Sequence, residues 1–321
     1  MQLKTLLTLG RVSNLPTIWT NVLAAGVLAQ ASILTPALIT QSDALSMDVM
    51  SMNQLPQQPV LVWLGVLLAL SMMYLGGMFL NDAFDADWDT KNNNPRPIAT
   101  GDIAVKTVWL MGTGMLCLSV VYIGYLYHLV SPGPGLVDWY QNYTGLFAGL
   151  SLALTIIAYN AWHKRFAHSA FIMGACRLGV YLIGALLLAE LTVKVTLAGL
   201  SLLLYIAGLT YLARHEHLNR VTRLWPLLLL FSPVLVAACS GYGSWYFWLF
   251  LVGFMAWVIS RLRLVLGAGQ PNVKACIGGL LAAIPLLDGL MLASVQAVLP
   301  SLLCLAVFLL IPRLHRWVSG T

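Results

Sequence analysis

Charge is scarce in this sequence. Of 321 residues only 9% are Asp, Glu, Lys or Arg, against 60% hydrophobic, and the mean hydropathy is +0.84. Soluble domains carry about 25% charged residues, so a water-soluble enzyme is excluded. Cysteine occurs five times, at 117, 176, 239, 276 and 304, isolated and mostly inside apolar runs. Without C-x-x-C spacing, neither a zinc site nor a disulfide framework is indicated. Basic residues outnumber acidic ones, 17 to 11, for a net charge of +6. They lie in scattered pairs between apolar stretches, which argues against a nucleic-acid partner. No compact apolar core with a small-residue cleavage signal opens the chain, so the N-terminus reads as mature protein. Clear internal repeats, low-complexity tracts and a separate soluble domain are also lacking, and residues 1–321 read as one domain.

What the sequence has instead is apolar runs long enough to cross a bilayer, for which roughly 20 residues are needed. Ten are expected, near 13–34, 60–80, 105–128, 143–162, 170–190, 194–212, 224–241, 244–260, 275–293 and 296–312. The fold class is therefore all-α, a polytopic helical bundle in the lipid bilayer. Lys and Arg follow this map. Of the 17, Lys194 falls on the outer side and Arg177 inside a span, leaving 15 on the inner side. Such a bias places both termini in the cytoplasm and makes the chain an integral, multi-pass protein of a cell membrane, with the bacterial inner membrane the expected location.

Acidic residues are few, and five of the eleven lie between positions 82 and 102. Asn81, Asp85 and Asp89 fall at i, i+4 and i+8, so a helix continued beyond residue 80 presents all three on one face. Asp82 borders that face. Carboxylates are disfavoured at the negative end of the helix dipole, and Asp82, Asp85, Asp87 and Asp89 repel one another at such spacing. A divalent cation removes both objections. Hard oxygen ligands of this kind suit Mg²⁺, which takes one or two carboxylates, keeps waters and binds substrate phosphates.

The pattern N-D-x-x-D-x-x-x-D followed by N-x-R-P-x-x-x-G resembles the first aspartate-rich motif of the UbiA superfamily of intramembrane prenyltransferases. Here it reads Asn81-Asp82-Ala83-Phe84-Asp85, then Asp89, then Asn94-Pro95-Arg96-Pro97 and Gly101. Arg11, Asn14 and Pro16 at the start of the first span resemble the family's start, and Tyr159 with Lys164-Arg165 resembles its Y-x-x-x-x-K-R. The likeness covers almost the whole chain. It implies a UbiA-like bundle of nine core spans plus one, and a Mg²⁺-bound prenyl diphosphate donor. It further implies metal ligation by Asn81, Asp82, Asp85, Asp89 and Glu216, with Asp85 and Asp89 as catalytic groups. Arg11, Asn14, Arg96, Tyr159, Lys164, Arg165 and Arg214 are then expected at the substrate. One departure stands out. The family's second D-x-x-x-D motif is missing, and the matching GLTYLARHEHLNRVTR carries Glu216 alone. Together with MGACR at 173–177, this segment resembles a divergent, EboC-like branch.

Three ionisable groups admit two readings each. Glu216, between His215 and His217, either completes the metal shell or balances an ordinary positive-inside loop. Arg177 lies about 10 Å along its helix, where a charge is a functional-site hypothesis by default. It is expected to act on an anionic substrate as a catalytic group, the alternative being snorkelling or pairing with a carboxylate. Asp288 either orients an acceptor or is hydrogen-bonded for packing. Aromatics near the acidic segment (Tyr74, Phe79, Phe84, Trp88, Tyr159, Trp162, Tyr205 and Tyr211) suit a developing allyl cation, and equally an interfacial belt.

The function expected is Mg²⁺-dependent transfer of a prenyl group from an allylic diphosphate to a small aromatic or hydroxylated-ring acceptor. A transporter is the competing class, since Arg177 and Asp288 inside spans also suit translocation. Against it, the carboxylates cluster at one face. A non-catalytic relative that binds a prenyl lipid is another alternative. A CDP-alcohol phosphatidyltransferase is disfavoured because its D-G-x-x-A-R…G-x-x-x-D-x-x-x-D pattern is absent.

Overall fold

The computed structural model describes residues 3–39, 58–131, 139–166, 168–214, 223–240, 244–267 and 270–318. No strand occurs among the described residues. A short helix α1 (Leu3–Leu9) leads through a 3-10 turn, Val12–Asn14, into α2 (Leu15–Ile39). Five long helices follow: α3 (Val60–Lys91), α4 (Val105–Val130), α5 (Trp139–Trp162), α6 (Ser169–Leu188) and α7 (Val193–Arg214). Then come α8 (Trp225–Leu228), α9 (Ser232–Ser240), α10 (Trp245–Leu266), α11 (Val273–Ala282), α12 (Ile284–Ala293) and α13 (Val298–Trp317).

Nine helical stretches among the described residues are long and apolar enough to cross a membrane, with α11 and α12 counted as one bent span. Each coincides with an expected span. The expected seventh, 224–241, is different. It is broken into α8 and α9 by a 3-10 turn at Leu229–Phe231, and Trp225–Cys239 is shorter than a full span. Pro233 accounts for the break, because it lacks the N–H that an uninterrupted helix would donate to the Leu229 carbonyl, whereas Pro226 occupies the first turn of α8, where no such donor is needed. The stretch still runs through the bundle. The Ser232 hydroxyl donates to the Ser201 carbonyl at 2.8 Å, and the Pro226 carbonyl abuts Gly208, so it runs antiparallel to α7. At 1.5 Å per residue it covers only about 22 Å.

Close approach of backbones holds the spans together. A Cβ on Gly76 of α3 would come within 2.9 Å of the Gly112 carbonyl of α4, so both positions need the smallest residue. Membrane helices associate through such small-residue contacts because lipid offers no hydrophobic drive between them. Leu110, Val121, Leu249, Val252 and Leu309 point outward on α4, α10 and α13. By contrast α2 is the most enclosed span and touches α3, α6, α7, α12 and α13.

Direction follows from the contacts at one end. The start of α2 meets the end of α3, where Arg11 reaches Asn81 at 3.0 Å. It also meets the end of α13, where His315 Nε2 lies 2.7 Å from Asn14 Oδ1. The two ends of the described chain therefore lie at one face of the bundle. A reporter fused after residue 321 is expected to read the same compartment as an N-terminal one. A reporter placed after residue 297, ahead of α13, is expected to read the other side. Opposite signals from the two termini would refute this topology.

Candidate active site

The helix that begins at Val60 runs on to Lys91, so Asn81, Asp82, Asp85 and Asp89 all ride on its last three turns. Asn81, Asp82 and Asp89 are buried, and Asp85 is partly so. Three neighbouring segments bring polar groups to them. From the turn before α2, Arg11 Nη2 donates to Asn81 Oδ1 at 3.0 Å and reaches Asp82 Oδ1 at 3.5 Å. From the end of α5, the Lys164 ammonium contacts Asp85 at 2.6 Å and His163 Nε2 lies 3.5 Å from its other oxygen. From the loop after α3, Asn94 donates its amide to Asp89 at 2.8 Å. Arg96 belongs to the same loop. Its pKa is held below the ordinary arginine value, first by burial and next by the Arg11 guanidinium, while Asp82, Asp89 and Asp85 oppose the shift. Two arginines and three carboxylates thus share one electrostatic neighbourhood.

The backbone at Arg11 is unusual. Its φ of 42° and ψ of 49° are left-handed, a conformation that costs a side-chain-bearing residue on the order of 1–3 kcal/mol. The turn is secured from two sides, because the Arg11 carbonyl accepts from the Asn14 amide at 2.9 Å and from the Tyr74 hydroxyl at 3.2 Å. Strain held in place at a cluster of charges is how a site fixes a side chain.

The donor set fits a divalent cation. Among the described residues no three His, Cys, Asp or Glu side chains converge as a ready shell. Asp82 Oδ2, however, is buried with no hydrogen-bond partner. A buried carboxylate oxygen left unpaired carries the full desolvation penalty. An oxygen of that kind, one to two turns from Asp85 and Asp89, suits Mg²⁺, which needs few protein carboxylates when phosphates and waters complete its octahedron.

Beneath the acidic face a pocket opens between α2, α3, α5 and α6, lined by Met73, Tyr74, Ile156, Tyr159, Met173 and Arg177 among others. It is almost wholly apolar. Asn160 joins it to the acidic face: it accepts from Asn81 Nδ2 at 3.1 Å and donates to the Gly77 carbonyl at 3.0 Å. Tyr159 stacks on His163, ring centroids 5.3 Å apart.

The expected site residues divide into groups. Asn81, Asp82, Asp85, Asp89, Arg11, Arg96 and Lys164 come together, with Tyr159 at the pocket wall. Asn14 stands just behind Arg11. Arg165 is exposed beside Lys164. Arg214 ties α7 to the α5–α6 loop, donating to the Phe166 carbonyl at 3.0 Å and to Ser169 Oγ at 3.3 Å. Glu216 lies outside the described residues. Arg177 is not at the carboxylates. Its Nη1 donates to Thr17 Oγ1 and Asn21 Oδ1, both at 2.9 Å, and its guanidinium lies 5.9 Å from the Tyr74 ring centroid. Asn21 passes a hydrogen bond on to Asp288 Oδ2 at 2.8 Å, and the Tyr181 hydroxyl donates to Asp288 Oδ1 at 2.5 Å. The intramembrane arginine and aspartate are thus joined through one amide. Of the aromatics, Tyr205 is elsewhere, donating to the Leu280 carbonyl, and Trp88 lies under the Lys164 ammonium at 4.4 Å. Sequence reasoning missed Asn160 and His163, although both sit inside the Tyr159–Arg165 motif it singled out.

The model of the UbiA prenyltransferase family matches residues 44–272. No curated protein matches in sequence. A solved structure concerning digeranylgeranylglyceryl phosphate synthase in membranes superposes with a TM-score of 0.58 at 19% identity, over 92% of this chain and 98% of that one. At that identity the likeness is one of fold.

The Arg177–Asn21–Asp288 chain generates a prediction about stability. Removing one member of a buried hydrogen-bonded chain leaves its partners unsatisfied, at a cost of about 1–3 kcal/mol. Asp288→Ala is therefore expected to lower the unfolding temperature in detergent. Arg177→Met combined with Asp288→Leu is expected to cost less than the two single changes summed. An Asp288→Ala protein that melts with the wild type would show that the chain carries no stability.

Proposed function

The chain belongs to the UbiA prenyltransferase family, and from that premise we propose that it transfers a prenyl group from an allylic prenyl diphosphate to a small aromatic or hydroxylated-ring acceptor. The observation that carries the reading is the juxtaposition of Asp82, Asp85 and Asp89, ringed by Arg11, Arg96 and Lys164, with an aromatic-walled apolar pocket directly below. Anionic leaving group and greasy chain need those two environments side by side.

In this reading Asp82, Asp85 and Asp89, with Asn81, hold Mg²⁺, which supplies positive charge to the diphosphate oxygens when bound. Arg11 and Lys164 donate charge-assisted hydrogen bonds to the same oxygens, with Arg96 adding positive charge alongside. As the bond between the allylic carbon and its oxygen breaks, the electron pair leaves with the diphosphate. These donors stabilise charge that grows there, the general source of large rate effects. Tyr74 and Tyr159 line the pocket, where an allylic carbon would gain positive character that aromatic rings can stabilise. The acceptor's nucleophilic atom forms the new bond to that carbon and gives up a proton. Met73, Ile156 and Met173 exclude water, so the cation is not captured by hydrolysis. With the positive-inside bias, the acidic face and both termini lie on the cytoplasmic side of a cell membrane.

Asp85→Asn removes a charge with almost no change of shape. It is expected to abolish Mg²⁺-dependent binding of a prenyl diphosphate and to reduce turnover by on the order of 10²-fold or more, with the helical content unchanged. Binding measured by isothermal titration with and without EDTA decides the matter. Donor affinity that ignores both EDTA and the substitution would refute this assignment.

A further inference from the structure

We infer that His315, on α13 and outside the stretch matched by the family model, is a positioning residue for Arg11. The inference rests on the reading of Arg11 as a donor-binding cation. Arg11 holds a left-handed backbone, which a side-chain-bearing residue keeps only where its surroundings enforce it. Part of the enforcement is the hydrogen bond from the Asn14 amide to the Arg11 carbonyl. Asn14 is itself buried, 5% exposed, and is gripped at both ends. Its carbonyl accepts from Thr17 Oγ1 at 2.7 Å, and its side-chain oxygen faces His315 Nε2 at 2.7 Å across 301 residues of sequence. An imidazole N–H is the donor in that contact, since the amide oxygen only accepts.

The path is therefore continuous: His315 to the Asn14 side chain, the Asn14 amide to the Arg11 carbonyl, and the Arg11 guanidinium to Asn81 and Asp82. Helix α13 otherwise faces outward along much of its length, with Leu299, Leu302, Leu303, Leu309, Leu310 and Trp317 exposed. Its polar contact at the rim of the site has a more specific use than packing. It fixes the turn from which Arg11 is aimed.

The test uses the full-length protein and four variants: His315→Phe, which keeps the bulk of a ring and removes the donor, His315→Gln, which restores a donor, Arg11→Ala, and His315→Phe with Arg11→Ala. His315→Ala replaces the Phe variant if that one fails to fold. Without any ligand, modification of Arg11 by phenylglyoxal is followed by peptide mass spectrometry, with exposed Arg263 as internal standard. His315→Phe is expected to speed modification at Arg11 about fivefold and His315→Gln to leave it near the wild-type rate, a coupling of the size found between residues in one network. An unchanged rate at Arg11 in His315→Phe overturns the proposal. With Mg²⁺ and farnesyl diphosphate as the probe, His315→Phe is expected to bind about fivefold more weakly, with no further loss in the Arg11→Ala background. Losses that simply add would also overturn it. A wild-type protein that does not bind farnesyl diphosphate with Mg²⁺ would refute the donor-site reading, while the modification rates still decide the role of His315.

Discussion

Arg11 bonding to Asn81 and Asp82 is the contact on which the site depends, and the bilayer explains why it can be so specific. Within hydrocarbon no water stands ready to satisfy a stray polar group, so buried polar side chains there favour partners within the protein. The opening of α2 crowds Arg11, Ser13, Asn14, Thr17, Thr20 and Asn21 into eleven residues. Nearly all are buried. Their partners fix where α3, α6, α12 and α13 can stand.

Two branches leave this hub. The upper one runs from Arg11 through Asn81 to Asn160 and the Gly77 carbonyl, joining α2, α3 and α5 at the acidic face. The lower one runs from Thr17 through Arg177 and Asn21 to Asp288 and Tyr181, joining α2, α6 and α12. Along the lower branch Arg177 and Asp288 are both buried and are linked through the Asn21 amide. That arrangement suits a fixed wall of the pocket better than a translocation path, which needs groups free to exchange partners. It also shows how α3 can end in carboxylates against its own dipole. Arg11, Arg96 and Lys164 bring positive charge to that end, and Arg11 is fixed there by the turn that precedes α2.

What the sequence discloses depends on distance along the chain. The acidic face was legible because a helix repeats every 3.6 residues, so the spacing of Asn81, Asp85 and Asp89 already implied one surface and a helix running past residue 80. Nine of the spans were legible from apolar length. The seventh was misjudged as continuous because hydropathy does not register that Pro233 removes a backbone donor. Asn21 and Asp288 lie 267 residues apart, and nothing local marks either as the partner of Arg177. Asn160 and His163 were missed for another reason. A single amide at the end of an apolar helix, or an imidazole in the turn after it, gives no periodic signal, and only the fold shows that both turn toward α3.

Charge arithmetic separates the roles of the two cations nearest the carboxylates. Three carboxylates facing Arg11, Arg96 and Lys164 make a nearly neutral site. A diphosphate arriving with one divalent ion adds both signs at once, so contacts must be exchanged rather than merely added. Lys164 is built for exchange: it is 37% exposed on a flexible four-carbon stem, and an ammonium is a point charge with no preferred plane. Under the proposed function it would leave Asp85 for a phosphate oxygen and free that carboxylate for a metal ion. Arg11 is built for the opposite. Its planar fork keeps a fixed direction, its backbone is held in a left-handed turn, and hydrogen bonds from Tyr74 and Asn14 converge on its carbonyl. Under the proposed function, one cation would move with the ligand and the other would provide the fixed point against which the ligand is oriented. Interchanging the two residue types would conserve charge and lose both properties.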